Sequence, residues 1–515
     1  MLSLRKFLLA SVVLPLAACN GADDVASPGE GVIVVPAPTP TPTPPATPTP
    51  TPPATGPAAD CPAGTTNVGV VGNYRSCRLP TSIITDLALP ATRGVAYEIN
   101  GRVDVGVDAG GATTPLPTGR SAVLTVAAGA ILYGNGGDAD NDFIVINRGS
   151  RIQAEGTETN PIIFTAKENV LGTVQETSQG LWGGVILAGR AQISNCNAAV
   201  PGGSALCENV VEGTGNARYG GEIANDSSGV FRYVQIRYSG IAISANNELQ
   251  GLTPAGVGSG TVIDHVQVHN SADDGVENFG GRVNMRYLVM TGTDDDALDV
   301  DVGYKGAVQF VLAIQRTGNG SSDPRGLEGD SEANPDALPR TDLRLANFSF
   351  INVLNVAQGV LLRGGMDATL VNGIITHPGQ CLDIDQNETI AAANGATDER
   401  GPPVFQSVFL ACPTAFTNDT SVTADQIAAI FNSGTNNVAN GTAPFTNVFI
   451  PAGAAATNPA VNPSTFNFPG QAFLVATNYI GAVRDANDLW YRGWTCDSAT
   501  ANFGSNRNCT TLPTT

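Results

Sequence analysis

The sequence predicts an all-β solenoid. Three observations carry that reading: one stretch is written twice at a short period, five stretches align into apolar and acidic columns, and strand-length apolar runs bounded by Gly and Asn replace long amphipathic helices.

The doubled stretch lies between His269 and Gln315. Ser271-Ala-Asp-Asp-Gly-Val-Glu aligns with Thr293-Asp-Asp-Asp-Ala-Leu-Asp at an offset of 22 residues, and Val266 and Val268 recur as Leu288 and Met290. The echo extends when Gly275, Ala297, Gly326, Gly359 and Cys381 are set as equivalents; offsets of 22, 29, 33 and 22 imply loop insertions in some coils. The next position is always apolar: Val276, Leu298, Leu327, Val360 and Leu382. Two residues on stand Asn278, Val300, Gly329, Leu362 and Ile384, and a period of two places both columns inside the coil. The columns between them then face outward. One reads Glu277, Asp299, Glu328, Leu361 and Asp383; the other reads Phe279, Asp301, Asp330, Arg363 and Asp385.

Neighbouring coils of such a solenoid lie about 4.8 Å apart. Two stacked carboxylates then repel by roughly 1 kcal/mol in water and about 3.5 kcal/mol at an effective dielectric of 20. A counter-charge is therefore expected. Hard oxygen ligands favour Ca²⁺, with Glu277, Asp299, Asp301, Glu328, Asp330, Asp383 and Asp385 as candidate metal ligands. A cationic ligand, raised carboxylate pKa values or solvation of splayed side chains are the other routes to the same balance.

The chain divides into three expected parts. Residues 1–18 have the layout of an export signal: Arg5-Lys6, an apolar run from Phe7 to Leu16, and Leu16-Ala-Ala-Cys19 at its end. The run is too short to span a membrane permanently. Residues 19–60 hold a Pro/Thr/Ala tract from Pro36 to Pro57, which suits a polyproline spacer of about 3.1 Å per residue. Residues 61–515 form the expected solenoid domain with a C-terminal cap. Within it, strands are read at Ala122-Val-Leu-Thr-Val, Phe143-Ile-Val-Ile, Pro161-Ile-Ile-Phe-Thr, Asn347-Phe-Ser-Phe and Leu370-Val-Asn-Gly-Ile-Ile. Phe231-Arg-Tyr-Val-Gln-Ile-Arg-Tyr-Ser matches Ile263-Asp-His-Val-Gln-Val-His-Asn-Ser at an offset of 32 and carries the repeat upstream. Thr423-Ala-Asp-Gln has capping-box spacing, with Ile427, Ile430 and Phe431 on one helical face. The aromatic segment Tyr479–Trp494 suits a lid on an open apolar end.

Composition narrows the partners. With 46 acidic against 26 basic residues, the formal charge of −20 argues against nucleic acid and against direct binding to anionic membrane surfaces. Apart from Cys19, eight cysteines remain, an even number in an exported chain. Sequence neighbours give the preferred scheme, Cys61 with Cys77, Cys196 with Cys207, Cys381 with Cys412 and Cys496 with Cys509, among 105 pairings. A chain with no C-x₂-C and three histidines offers little to zinc.

Leu16-Ala-Ala-Cys19 resembles the bacterial lipobox, which implies that Cys19 is lipidated after cleavage. Asn20 after it favours the outer membrane, with the domain on the cell surface or the periplasmic face. Gly180-Leu-Trp-Gly-Gly-Val-Ile-Leu-Ala-Gly-Arg, the runs from Asp273 and Asp294, and the segment Tyr479–Trp494 together resemble a family of exported bacterial β-helix lipoproteins without a settled activity. That resemblance covers roughly residues 95 to 496 and implies the right-handed parallel β-helix of the pectate-lyase-like superfamily, whose enzymes usually work on polysaccharide lying across an outer sheet.

Catalytic chemistry has weaker support in the text. Val262-Ile-Asp-His265 is similar to a pectate lyase segment, and Asp273-Asp-Gly to the Asp-Asp of polygalacturonases, but the accompanying arginine, Gly-His-Gly and Arg-Ile-Lys motifs are missing. Carboxylates on adjacent coils approach the roughly 5–5.5 Å used by retaining glycosidases, which makes Glu277 with Asp299 or Asp301 the catalytic candidates. His265 and His269 lie about 13 Å apart on one strand, too far to share a metal, and are expected in surface or turn hydrogen bonds. Trp182, Phe279, Tyr287 and Tyr304 are candidates for stacking on sugar rings as well as for core packing. The expected function is an acidic face that binds a polysaccharide, an envelope protein or an outer-membrane receptor or transporter partner, with Ca²⁺ assisting. A polysaccharide lyase or glycoside hydrolase, and a structural spacer or adhesin, are the alternatives.

Overall fold

A computed structural model describes residues 56–513, apart from 137–140, 245–246, 319, 322 and 332–333. The expected signal, Cys19 and all but the last residues of the linker lie outside the described residues.

Within the unit Thr55–Thr515 the chain alternates between two long sheets, one of sixteen strands and one of eleven. Except for an antiparallel edge pair at Thr66–Val71 and Tyr74–Arg78, neighbouring strands within each long sheet run parallel. That is the wiring of a parallel β-helix. Around the acidic columns the alternating strands are β1 (Gly229–Arg237), β2 (Leu252–Ala255), β3 (Val262–His269), β4 (Val276–Phe279), β5 (Asn284–Thr291), β6 (Leu298–Asp301), β7 (Ala307–Ile314), β8 (Leu327–Gly329), β9 (Asp342–Ile351), β10 (Gln358–Leu362), β11 (Asp367–Thr376) and β12 (Gln380–Ile384). Odd strands build the larger sheet and even strands the smaller.

The register follows the columns read from the text. Val276, Leu298, Leu327, Val360 and Leu382 are successive partners and all are fully buried. On the opposite wall Val266, Leu288, Val311 and Phe348 form one inner column, which ends at Gly373. A Cβ on Gly373 would lie 2.0 Å from the Phe348 ring, so the small residue makes room for the large one. Each buried aliphatic side chain contributes about 1.5–3 kcal/mol of transfer free energy, which gives every coil a reason to hold its register.

Three additions cover this framework. Residues 189–228 depart from the coil, are closed by a disulfide between Cys196 and Cys207, and pack Ile193, Val211, Ala217 and Tyr219 over the outward side chains Phe143, Val145, Ile186 and Ala188 of the smaller sheet. The helix α1 (Ala424–Asn432) begins with the expected capping box between Thr423 and Gln426 and buries Ile427 and Phe431 against Phe405 at the end of the core.

The third addition corrects an expectation. The aromatic tail does not close an end; it runs along the outer face of the larger sheet. Side-chain amides on that face grip its backbone: Asn372 at Val461, Gln309 at Val475, Asn347 at Tyr479, Gln267 at Cys496 and Gln235 at Trp494. Arg237, fully buried, donates to the carbonyls of Cys509 and Thr511. The face is polar where it meets backbone, so an apolar end cap was the wrong picture. The four disulfides join sequence neighbours, as the preferred scheme had them.

Candidate metal centre

The strands of the smaller sheet are entered by turns, and in two adjacent coils that turn is Asp-Asp: Asp273-Asp274-Gly275 before β4 and Asp295-Asp296-Ala297 before β6. The Asp296 N–H donates to the Asp274 carboxylate at 2.9 Å, and the Arg325 N–H donates to the Asp296 carboxylate at 2.7 Å, so each turn is tied to the next. Gly275 permits this spacing, because a Cβ there would meet the Ala297 carbonyl oxygen at 2.6 Å.

The turns bring their acids against the outward acids of the strands. Glu277 and Asp299 are direct partners in the ladder, and Asp299 is the partner of Glu328. Two triplets result, Asp273 with Asp274 and Asp295, and Asp274 with Glu277 and Asp299; within each, one carboxylate oxygen per residue lies within 4.8 Å of the others. Asp274 belongs to both. From the insertion, Glu212 reaches the same corner: the Gln250 amide donates to Glu277 at 2.5 Å and to Glu212 at 3.1 Å.

These carboxylates are not splayed into solvent. Burial first, and neighbouring negative charge second, push Asp273 up to about 8 and hold Asp274, Glu277, Asp296 and Asp299 well above the usual carboxylate range. Asp295 rises to about 6 from burial and Asp323, although Arg325 opposes the shift.

The remaining candidates part company with this pair of triplets. Arg325 stands where the upstream coils have Asp274 and Asp296, and its guanidinium lies 2.5 Å from Glu328 and from Asp323 and 3.7 Å from Asp296. Arg363 pairs with Glu328 at 2.7 Å and with Asp330 at 2.8 Å. Glu328 and Asp330 thus already have cationic partners from the chain. Asp301 accepts from the Val302 N–H at 2.7 Å. Asp383 lies beyond Leu361, buried and pushed up to about 6 by burial and then by Asp419 and Asp385, while Asp385 accepts from Ser421 Oγ at 2.6 Å. The seven expected ligands therefore divide into Glu277 and Asp299, which form no ion pair among the described residues, Glu328 and Asp330 with arginine partners, Asp301 on a backbone N–H, and the distal pair Asp383 and Asp385. Among the described residues no Lys or Arg forms an ion pair with Asp273, Asp274, Glu277, Asp295 or Asp299.

Other expectations fall differently. His269 is not on the surface: it is fully buried, with Nδ1 2.9 Å from Thr291 Oγ1. His265 is stacked between Tyr233 and Tyr287 at centroid distances of 4.4 and 4.3 Å, with Trp494 of the tail edge-on at 5.4 Å. The lyase-like Val262–His265 segment thus lies beneath the tail on the larger sheet and not at the acidic corner. Trp182 and Tyr304 are fully buried, and Phe279 packs against Tyr219 of the insertion.

Asp295, Asp296 and Arg325 were missed as site residues, and Asp273 and Asp274 were noted only for their likeness to polygalacturonases, because the strand periodicity starts after these turns, although the doubled Asp-Asp was a visible signal. Glu212 gave none, since its place depends on how a loop folds back.

Fold and site together define an acidic parallel β-helix. The family description "Pectate-lyase like beta helix domain" matches residues 112–448, well over half the chain, and the protein belongs to that family. No curated protein and no solved structure matches it.

Proposed function

We propose that the chain is an exported binding protein whose smaller sheet holds a divalent cation, Ca²⁺ in first place, through Asp274, Glu277 and Asp299, and through it a polysaccharide or an envelope partner. The observation that carries this reading is the second triplet: three carboxylates converge from two coils with no cationic side chain among them. Oxygen-only ligands suit Ca²⁺, whose coordination number of 6–8 leaves positions for ligand oxygens. The distal acids Asp383 and Asp385 stand outside this centre. Anchoring belongs to the same proposal: the lipobox-like Leu16–Cys19 would tether the domain to the outer membrane, facing the surface or the periplasm, with an outer-membrane receptor or transporter among its partners.

The test exposes the purified chain to a polysaccharide panel with Ca²⁺ or with chelator, scoring retention and cleavage. Retention that needs Ca²⁺ and is lost in Asp299→Asn supports binding; equal retention in chelator contradicts a cation-assisted mode. One observation favours a second reading, a glycoside hydrolase or lyase: Glu277, whose pKa burial and then Asp299 raise well above the usual carboxylate range, lies beside Asp299, an arrangement that suits an acid next to a second carboxylate. New reducing or unsaturated ends that vanish in Asp299→Asn would establish it.

A further inference from the structure

We propose that the Asp-Asp turns hold a second divalent cation, ligated by Asp273, Asp274 and Asp295, with the Asp274 carboxylate bridging it to the cation of the sheet face. This rests on the cation reading of that face and adds a centre to it.

The turn triplet is as tight as the strand triplet, with its three ligand oxygens within 4.8 Å of one another. Asp273 supplies an independent sign. It is 9% exposed, and its Oδ2 is buried without a hydrogen-bond partner. A buried carboxylate oxygen without a donor leaves an unmet demand that a cation in the triplet would satisfy.

Neighbouring aspartates show the contrast. Asp294, next in sequence to Asp295, has its two oxygens taken by the Gly320 N–H and the Gln179 amide, each at 2.8 Å. Asp296 accepts from a backbone N–H and faces Arg325. Of the Asp294-Asp-Asp run, the middle residue is the one turned to the triplet; it accepts a 3.3 Å hydrogen bond from Ser321 Oγ.

Charge leads to the same count. The two triplets comprise five different carboxylates. With all five ionised, one divalent cation would leave three negative charges crowded in a largely buried corner, and two cations would leave one. A carboxylate has two oxygens and several lone pairs, so Asp274 can accept from the Asp296 N–H and still ligate on both sides. With neither His nor Cys in either triplet, the pair suits Ca²⁺ or Mn²⁺ and not zinc.

The experiment is a titration of the chelator-stripped full chain with Ca²⁺ at neutral pH, read by flow dialysis. Wild type is expected to bind two equivalents at the corner. Asp273→Asn and Asp295→Asn each remove one; Glu277→Gln and Asp299→Asn each remove the other. Asp274→Asn weakens both at least tenfold, while Asp383→Asn changes neither. In parallel, two equivalents of Mn²⁺ should give an exchange-coupled electron paramagnetic resonance spectrum, absent in Asp274→Asn. If the sheet-face equivalent persists and Asp273→Asn changes nothing, the second centre is overturned and the first stands. If no Ca²⁺ binds, the cation reading itself fails. The Mn²⁺ spectrum of wild type decides the matter even where a variant does not fold.

Discussion

Asp273 shows what the acidic corner costs when no cation is present. Its folded-state pKa, raised to about 8 by burial and by Asp295, exceeds the unfolded value of about 4. The folded chain therefore holds a proton that the unfolded chain releases. Stability falls as pH rises from about 4, and the loss is complete above about 8. In chelator, the thermal midpoint should be higher at pH 5 than at pH 8 by more in wild type than in Asp273→Asn, and Ca²⁺ should narrow the gap; scanning calorimetry reads both, and equal pH dependence in the two proteins would refute the assignment. Arg325 makes the opposite case. Its side chain is buried between Asp296 and Glu328, so Arg325→Ala leaves the buried Asp296 without its cation and Glu328 with Arg363 alone, and is expected to cost about 3–5 kcal/mol in urea unfolding. Arg363, half-exposed, should cost far less when replaced.

At the scale of elements, the coil is held by its inner columns and finished by its additions. Leu298→Ala empties a fully buried position between Val276 and Leu327 and should destabilise by about 2–5 kcal/mol. Thr423→Ala removes the cap of α1 and should cost about 1 kcal/mol, since only one helix end is lost. The inner columns were legible because Val276, Leu298 and Leu382 repeat with the side-chain period of a strand, and repetition along the text becomes adjacency in space. The outward acids were legible by the same logic. What surrounds them was not. Arg325 stands where the repeat has aspartate, and its role appears only when the Asp296 and Glu328 side chains are placed beside it. The tail's course along the larger sheet depends on Gln235, Gln267, Gln309, Asn347 and Asn372, residues that read as ordinary polar strand positions until backbone is laid across them.

At the scale of the molecule, the insertion carrying Cys196 and Cys207 covers the upstream part of the smaller sheet, and the acidic corner lies at its border, where Glu212 meets Glu277 through Gln250. Among the described residues no helix is long and apolar enough to cross a membrane. Membrane attachment would rest on Cys19, and Cys19→Ser is expected to move the protein from the membrane to the soluble fraction on cell fractionation; retention in the membrane would contradict a lipid anchor. On a chain of charge −20, a bound cation would have a further role, turning the acidic corner into a place where an anionic or neutral oxygen-rich ligand could approach. The most direct measurement is an anomalous difference map from crystals grown with Mn²⁺. A peak between Asp274, Glu277 and Asp299 is the predicted result, and a fully occupied crystal lattice with no anomalous density at that corner at millimolar Mn²⁺ would contradict the account.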